Sequence, residues 1–291
     1  MRNIKAFLLV GVVMLTMVWL VLPDRKQQVV EYPIQRIIKY NFTVENPTNR
    51  FMDSVEFWSY APLQTTSIQQ VRGIKTSTPY RSVVDEEGNQ RLYFTITKLP
   101  PYGSRTVSVS VELGLREQPA AMDIKSADAY LKAEPYIELN DPRIKKIAAE
   151  HKGNSAWRTA ENTHGWVSEH VKEAGYTAND QGALYALEKG VGDCTESAYL
   201  FAALSRANNI PTRIMAGYVY GQSAILKSAD YHNWPEVYVD GAWWVADPNK
   251  KNFRKQQSHY IATNIVSRSG GITRESQRFF GTNDGVRVVM L

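Results

Sequence analysis

The chain holds one cysteine, Cys194, in the segment Gly192-Asp193-Cys194-Thr195-Glu196, directly before Ser197-Ala198-Tyr199-Leu200-Phe201-Ala202-Ala203-Leu204. Asp193 and Glu196 have the spacing of a reciprocal helix cap with aspartate in the cap position, so Cys194 is expected as the first helical residue. The run that follows is apolar on nearly every side, which predicts a buried central helix. Free N–H groups and the positive end of the helix dipole at such a terminus favour a thiolate over a thiol. The same N–H groups could hold an oxyanion formed when the sulfur attacks a carbonyl. Asp193 opposes this, because a neighbouring negative charge raises a thiol's pKa, and the geometry of its cap decides the balance. Taken alone, Cys194 reads equally well as a small buried hydrophobe.

A poorly ionised thiol needs a base. Of five histidines, His151, His164 and His170 lie in helical, polar stretches and read as surface or packing residues, and His259 sits near a Gln-Ser segment. His232 begins the run Asn233-Trp234-Pro235-Glu236-Val237-Tyr238-Val239, which ends at Asp240-Gly241, a strong signal for a two-residue hairpin. Pairing Val239 with Ala242 sets Trp234 opposite Asp247, with His232 two residues further along. His232 and Asp247 then project from one face as diagonal neighbours, roughly 7 Å or less apart at Cβ. A carboxylate there fixes the imidazole tautomer and leaves the other ring nitrogen for a thiol. Pro235 inside the run predicts an edge strand. Singly, Asp247 is also a plausible turn residue before Pro248, and His232 a polar strand end. Their shared parity favours the pair.

These blocks carry a resemblance. Gly192-Asp193-Cys194, Ile210-Pro211-Thr212-Arg213, Ala216-Gly217-Tyr218, His232 to Tyr238 and Trp244-Val245-Ala246-Asp247-Pro248 are similar to the core of the transglutaminase-like superfamily, over roughly residues 140 to 260. The resemblance implies a papain-like fold, with a cysteine at a helix N-terminus facing a histidine and an aspartate on a sheet. It places the nucleophile at Cys194, the base and acid at His232 and the orienting carboxylate at Asp247. Asn233 stands where alanine is frequent in the family, a change that leaves these three roles untouched.

The elements that must position these residues form an α+β second domain, residues 141–291. Asp141-Pro142 opens a helix with a capping carboxylate and proline at the first helical position. Ala156, Ala160, Val167, Val171 and Ala174 fall on one helical face, and Leu184 and Leu187 mark a shorter helix stopped by Gly190. Strands follow after Ile210-Pro211. Residues 29–116 alternate with period two at Ile34 to Val44, Leu92 to Ile96 and Val107 to Leu113, punctuated by turn clusters, and predict a small β-sandwich. It has no titratable cluster, so its expected role is a spacer or docking module. Residues 117–140 read as a linker.

Residues 6–22 are uncharged and apolar, flanked by Arg2 and Lys5 before and Asp24, Arg25 and Lys26 after. As a helix they span roughly 26 Å, and residues 1–28 are expected to be a transmembrane anchor, with a cleaved signal peptide as the competing reading. The catalytic domain is then exported, to the periplasmic or extracellular side. At 291 residues, 43% apolar and 22% charged, the chain is globular in composition. Its net charge of +5 is spread without a basic block, which argues against a nucleic-acid partner. One cysteine and scattered histidines do not make a zinc site, and no acidic loop has calcium-ligand spacing, so neither metal nor other cofactor is expected. The expected partner is a protein or peptide substrate in the cell envelope. Acyl transfer to an amine, hydrolysis by a peptidase or amidase, and a non-catalytic exported binding module remain open at this point, as does oligomeric state. Tyr218, Tyr220, Tyr231 and Trp234 are candidate groove residues, and Gln181 and Trp166 candidate second oxyanion donors.

Overall fold

Strand alternation in the N-terminal part has a direct structural outcome. Ile38, Tyr40, Phe42 and Val44 of β1 (Ile34–Glu45) are buried while their neighbours face outward, and the same holds for Val107, Val109, Val111 and Leu113 of β6 (Ser104–Leu115). Between them run β2 (Met52–Tyr60), β3 (Gln69–Thr76), β4 (Tyr80–Val84) and β5 (Gln90–Leu99). The computed structural model describes residues 30–124, 127–176, 179–266, 279–282 and 285–291. The apolar stretch 6–22 lies outside these residues. Among the described residues no helix is long and apolar enough to cross a membrane.

The second part carries α1 (Pro142–Glu150), α2 (Ala156–His170), β7 (Lys172–Glu173), α3 (Ala183–Lys189), β8 (Val191–Gly192) and α4 (Cys194–Ala207). It continues with β9 (Thr212–Val219), β10 (Ala224–Ile225), β11 (His232–Val239), β12 (Ala242–Asp247), β13 (Asn252–Phe253) and β14 (Tyr260–Ile265), and the chain ends with β15 (Phe280–Thr282) and β16 (Arg287–Met290). Two sheets make the sandwich, β10-β1-β6-β3 with β16 also on β1, and β15-β2-β5-β4. Phe42 of the first sheet meets Phe57 of the second edge-to-face, ring centroids 5.6 Å apart. The sandwich thus takes β10, β15 and β16 from the part of the chain that the sequence division places after residue 141.

A separate antiparallel sheet in the second part runs β13-β12-β11-β9-β14. Helices α4 and α2 pack on one face, with α1 and α3 against α4, and α4 is buried from Glu196 to Arg206. Met215, Trp234, Val245 and Tyr260 on the other face pack under Leu63 and Ile68, from the crossing between β2 and β3.

Three expectations meet the structure here. The helix read through Ala174 stops at His170, and Val171 turns extended. Lys172–Glu173 pairs in parallel with Val191–Gly192, so tertiary pairing overrides the helical period. The hairpin register is as expected, Val239 opposite Ala242, with Asp240 and Gly241 both at positive φ (53° and 78°). The edge-strand expectation is overturned: β11 lies between β12 and β9. Tyr238 donates its N–H to Pro211 on the β9 side, so by alternation the N–H that Pro235 lacks would face β12. The β11–β12 ladder ends at Glu236 opposite Val245, one residue short of the proline. A central strand tolerates Pro235 because the ladder stops there.

Candidate active site

Cys194 opens α4 behind a reciprocal cap. Asp193 accepts the Thr195 N–H at 2.7 Å, and the Glu196 carboxyl accepts the N–H groups of Asp193 at 3.1 Å and Gln181 at 3.0 Å. The cap spacing therefore places the sulfur at the helix terminus as expected. The electrostatic contest goes against the thiolate. Burial, and after it the Asp193 charge, pushes the Cys194 thiol up to about 12. The Asn233 backbone N–H and the Thr195 hydroxyl, both donating to sulfur, pull the other way and do not overcome it. The resting thiol holds its proton at neutral pH.

His232 opens β11, opposite Gly217 of β9. Its Nε2 donates to Asp247 Oδ2 at 2.7 Å. Asp247 ends β12 and is fully buried. It also accepts from the Tyr260 hydroxyl at 3.0 Å and from the Lys250 N–H at 3.1 Å. Tyr260 is in turn held by Asn252 Nδ2 at 3.1 Å. His164 donates from Nε2 to the Asp247 carbonyl at 3.0 Å, and burial lowers its pKa, keeping it a neutral donor. The carboxylate is fixed on three sides, and Nδ1 of His232 is the ring nitrogen left for proton transfer.

Cys194 and His232 line one cleft of about 1020 Å³. Tyr218, Tyr220 and Tyr231 line it too, together with Phe280 and Met290 from the C-terminal strands. Trp234 does not: it is fully buried beneath the sheet, its ring near-parallel to that of His232 with centroids 6.2 Å apart. Gln181 donates its amide to the Asn179 carbonyl, and Trp166 stacks on His170 at 4.4 Å. Neither lines the cleft, so neither is placed as an oxyanion donor. Among the described residues no group of three or more His, Cys, Asp or Glu side chains is placed to hold a metal.

Four supporting residues escape the sequence reading. Tyr260 and His164 reach Asp247 from distant elements, and no short-range spacing announces them. Thr195 and Asn233 each follow a chemically singled-out residue, and that adjacency was the available signal.

Residues 144–248 match the sequence profile of the transglutaminase-like superfamily, and the match includes all five segments that carry the resemblance. A search of curated proteins finds none that matches. Among solved structures, the chain is similar to a candidate cysteine protease from Cytophaga hutchinsonii at 16% identity, over 89% of this chain and 90% of that one, with a TM-score of 0.60. The periplasmic domain of TgpA from Pseudomonas aeruginosa is similar at 17% identity, over 73% of this chain and 88% of that one, with a TM-score of 0.39. The first likeness is one of fold, over nearly the whole length of both chains.

Proposed function

We propose that this protein is a thiol acyl-transfer enzyme acting on amide groups of proteins or peptides, with Cys194 as nucleophile, His232 as base and acid, and Asp247 as orienting carboxylate. The observation that carries this reading is the buried 2.7 Å contact between His232 Nε2 and Asp247 in the wall of the cleft that Cys194 also lines. Because the thiol is protonated at rest, the first step needs the base. Cys194 Sγ attacks the amide carbonyl carbon while its proton passes to His232 Nδ1. Collapse of the tetrahedral intermediate breaks the C–N bond, and His232 returns that proton to the departing amine, leaving a thioester. An amine or water then attacks the thioester, giving its proton to His232. The thiolate leaves and is reprotonated by the imidazolium. The open cleft admits either acceptor.

The test is the rate of Cys194 alkylation by iodoacetamide at graded pH, wild type against His232→Ala. At pH 7 the variant is expected to react at least about tenfold more slowly, since general-base assistance is worth on the order of 10²-fold or more. A wild-type profile like that of a free thiol, unchanged in the variant, defeats the catalytic reading in favour of a binding module. Mass spectrometry of wild type and Cys194→Ala with candidate peptides separates cross-linked from hydrolysed products.

A further inference from the structure

The residue after the proposed nucleophile and the residue after the proposed base are bonded to each other. Asn233 Nδ2 donates to Thr195 Oγ1 at 3.0 Å, tying the start of β11 to the first turn of α4. Asn233 is buried, 7% exposed. It reaches the site twice, through this side chain and through its backbone N–H on the sulfur. A hydroxyl that accepts from an amide has its own proton free to donate elsewhere, and hydrogen bonding from the Thr195 hydroxyl is among the influences that draw the Cys194 thiol down. The 3.0 Å bond from Asn233 Nδ2 thus leaves the Thr195 hydroxyl proton available to the preceding residue, Cys194.

We infer that Asn233 and Thr195 are a pair of positioning residues that clamp the nucleophile's helix to the base's strand and direct a hydrogen bond onto the sulfur that strengthens as the thiolate forms. The inference rests on the acyl-transfer reading and deepens it. The need for such a device is visible in the charges around the sulfur. Asp193 at the helix cap and Asp247 at the end of β12 both disfavour a thiolate, and Tyr231 lies close by. Glu173 and Lys250 line the same cleft from the other elements, with opposite charges. Against burial and these charges, the Asn233 backbone N–H and the Thr195 hydroxyl are what favour the ionised form of the sulfur. An alanine in place of Asn233 keeps the backbone donor and loses the chain through Thr195. Oriented hydrogen bonds to a charge are about twice as strong as neutral ones, so the clamp does most where negative charge develops on sulfur.

The experiment is the pH dependence of iodoacetamide alkylation for wild type, His232→Ala, Asn233→Ala, Thr195→Val, Thr195→Ser and the Asn233→Ala/Thr195→Val double variant, with thermal melts to verify folding. At any fixed pH below 9, well under the thiol's raised value, Asn233→Ala and Thr195→Val are each expected to alkylate about tenfold more slowly than wild type. Thr195→Ser, which keeps the hydroxyl, is expected to retain the wild-type profile. The double variant should shift no further than either single one, because both break one chain. Folded single variants with an unshifted profile, or fully additive shifts, overturn the inference. Loss of the His232 dependence in the wild type instead overturns the acyl-transfer reading, so the two failures are distinguishable.

Discussion

At the scale of single residues, the charge distribution around Cys194 was partly legible in advance. The cap spacing of Asp193 and Glu196, and the opposition between helix dipole and Asp193, can be read from five consecutive residues. Burial cannot, and burial is the larger cause of the raised thiol pKa. The same burial acts on Glu196, which is 1% exposed: burial first, and the nearby Asp193 charge after it, push the Glu196 carboxyl up to about 7. Such an acid keeps its proton in the folded state at pH values where the unfolded chain has lost it. Its contribution is therefore fully present below the unfolded pKa, near the ordinary carboxylate value of 4.5, and lost as pH rises to about 7. The wild type is predicted to lose on the order of 2 kcal/mol of unfolding free energy from this group between pH 5 and pH 8. Urea titrations at both pH values, on wild type and Glu196→Gln, measure it. The variant lacks the ionisation, so its pH dependence should be flatter; equal slopes for the two proteins would count against a protonated Glu196.

At the scale of elements, the hairpin was the most legible feature, because Asp240-Gly241 fixes a register and parity does the rest. Its neighbours were less so. Pro235 suggested an edge, and only the second partner strand, β9, shows that the strand is central. Gly217 of β9 sits opposite His232. A Cβ at that position would come within 2.0 Å of the Ile261 carbonyl oxygen of β14, where the β9–β14 ladder also shifts register between Ala262 and Asn264. Backbone, unlike a flexible side chain, cannot yield cheaply. Gly217→Ala is expected to destabilise by about 1–3 kcal/mol and to reduce activity beyond its effect on the folded fraction, since moving β9 moves His232. Gly165 in α2 is the control: a Cβ there meets nothing within 4 Å, and Gly165→Ala should stabilise by about 1 kcal/mol at most. Thermal melts alongside turnover distinguish the two, and a well-folded, fully active Gly217→Ala protein would show that the strands can part without disturbing the base.

At the scale of the whole molecule, the least legible feature was the relation between the two parts of the chain. Alternation and turn clusters reveal a sandwich but not what it covers. The segments Glu31–Leu291 form one compact unit, and β14 shows why. One side of it pairs with β9. On the other, Gln69 accepts from the Ala262 N–H at 3.0 Å and donates to its carbonyl at 3.0 Å, and Leu63 donates to that carbonyl at 2.9 Å. Asn89 does the same for Ile265, accepting at 2.7 Å. Two side-chain amides thus satisfy peptide groups that an open sheet edge would leave to water or to another chain. The 117–140 segment, read as a linker, is also pinned. Glu134 is bonded to Arg206 at 2.7 Å, with the two side chains 3% and 0% exposed. A spacer role accounts for none of these contacts. Residues 141–291 expressed without the preceding sandwich are therefore predicted to lack a cooperative fold. Met215, Trp234 and Tyr260 would lose the cover of Leu63 and Ile68, and β14 would present an unpaired edge. Weak near-ultraviolet dichroism, dye binding to exposed apolar surface and a broad, low-amplitude melt are expected of that fragment, whereas a sharp melt near that of the full chain would return the sandwich to the role of an appended module.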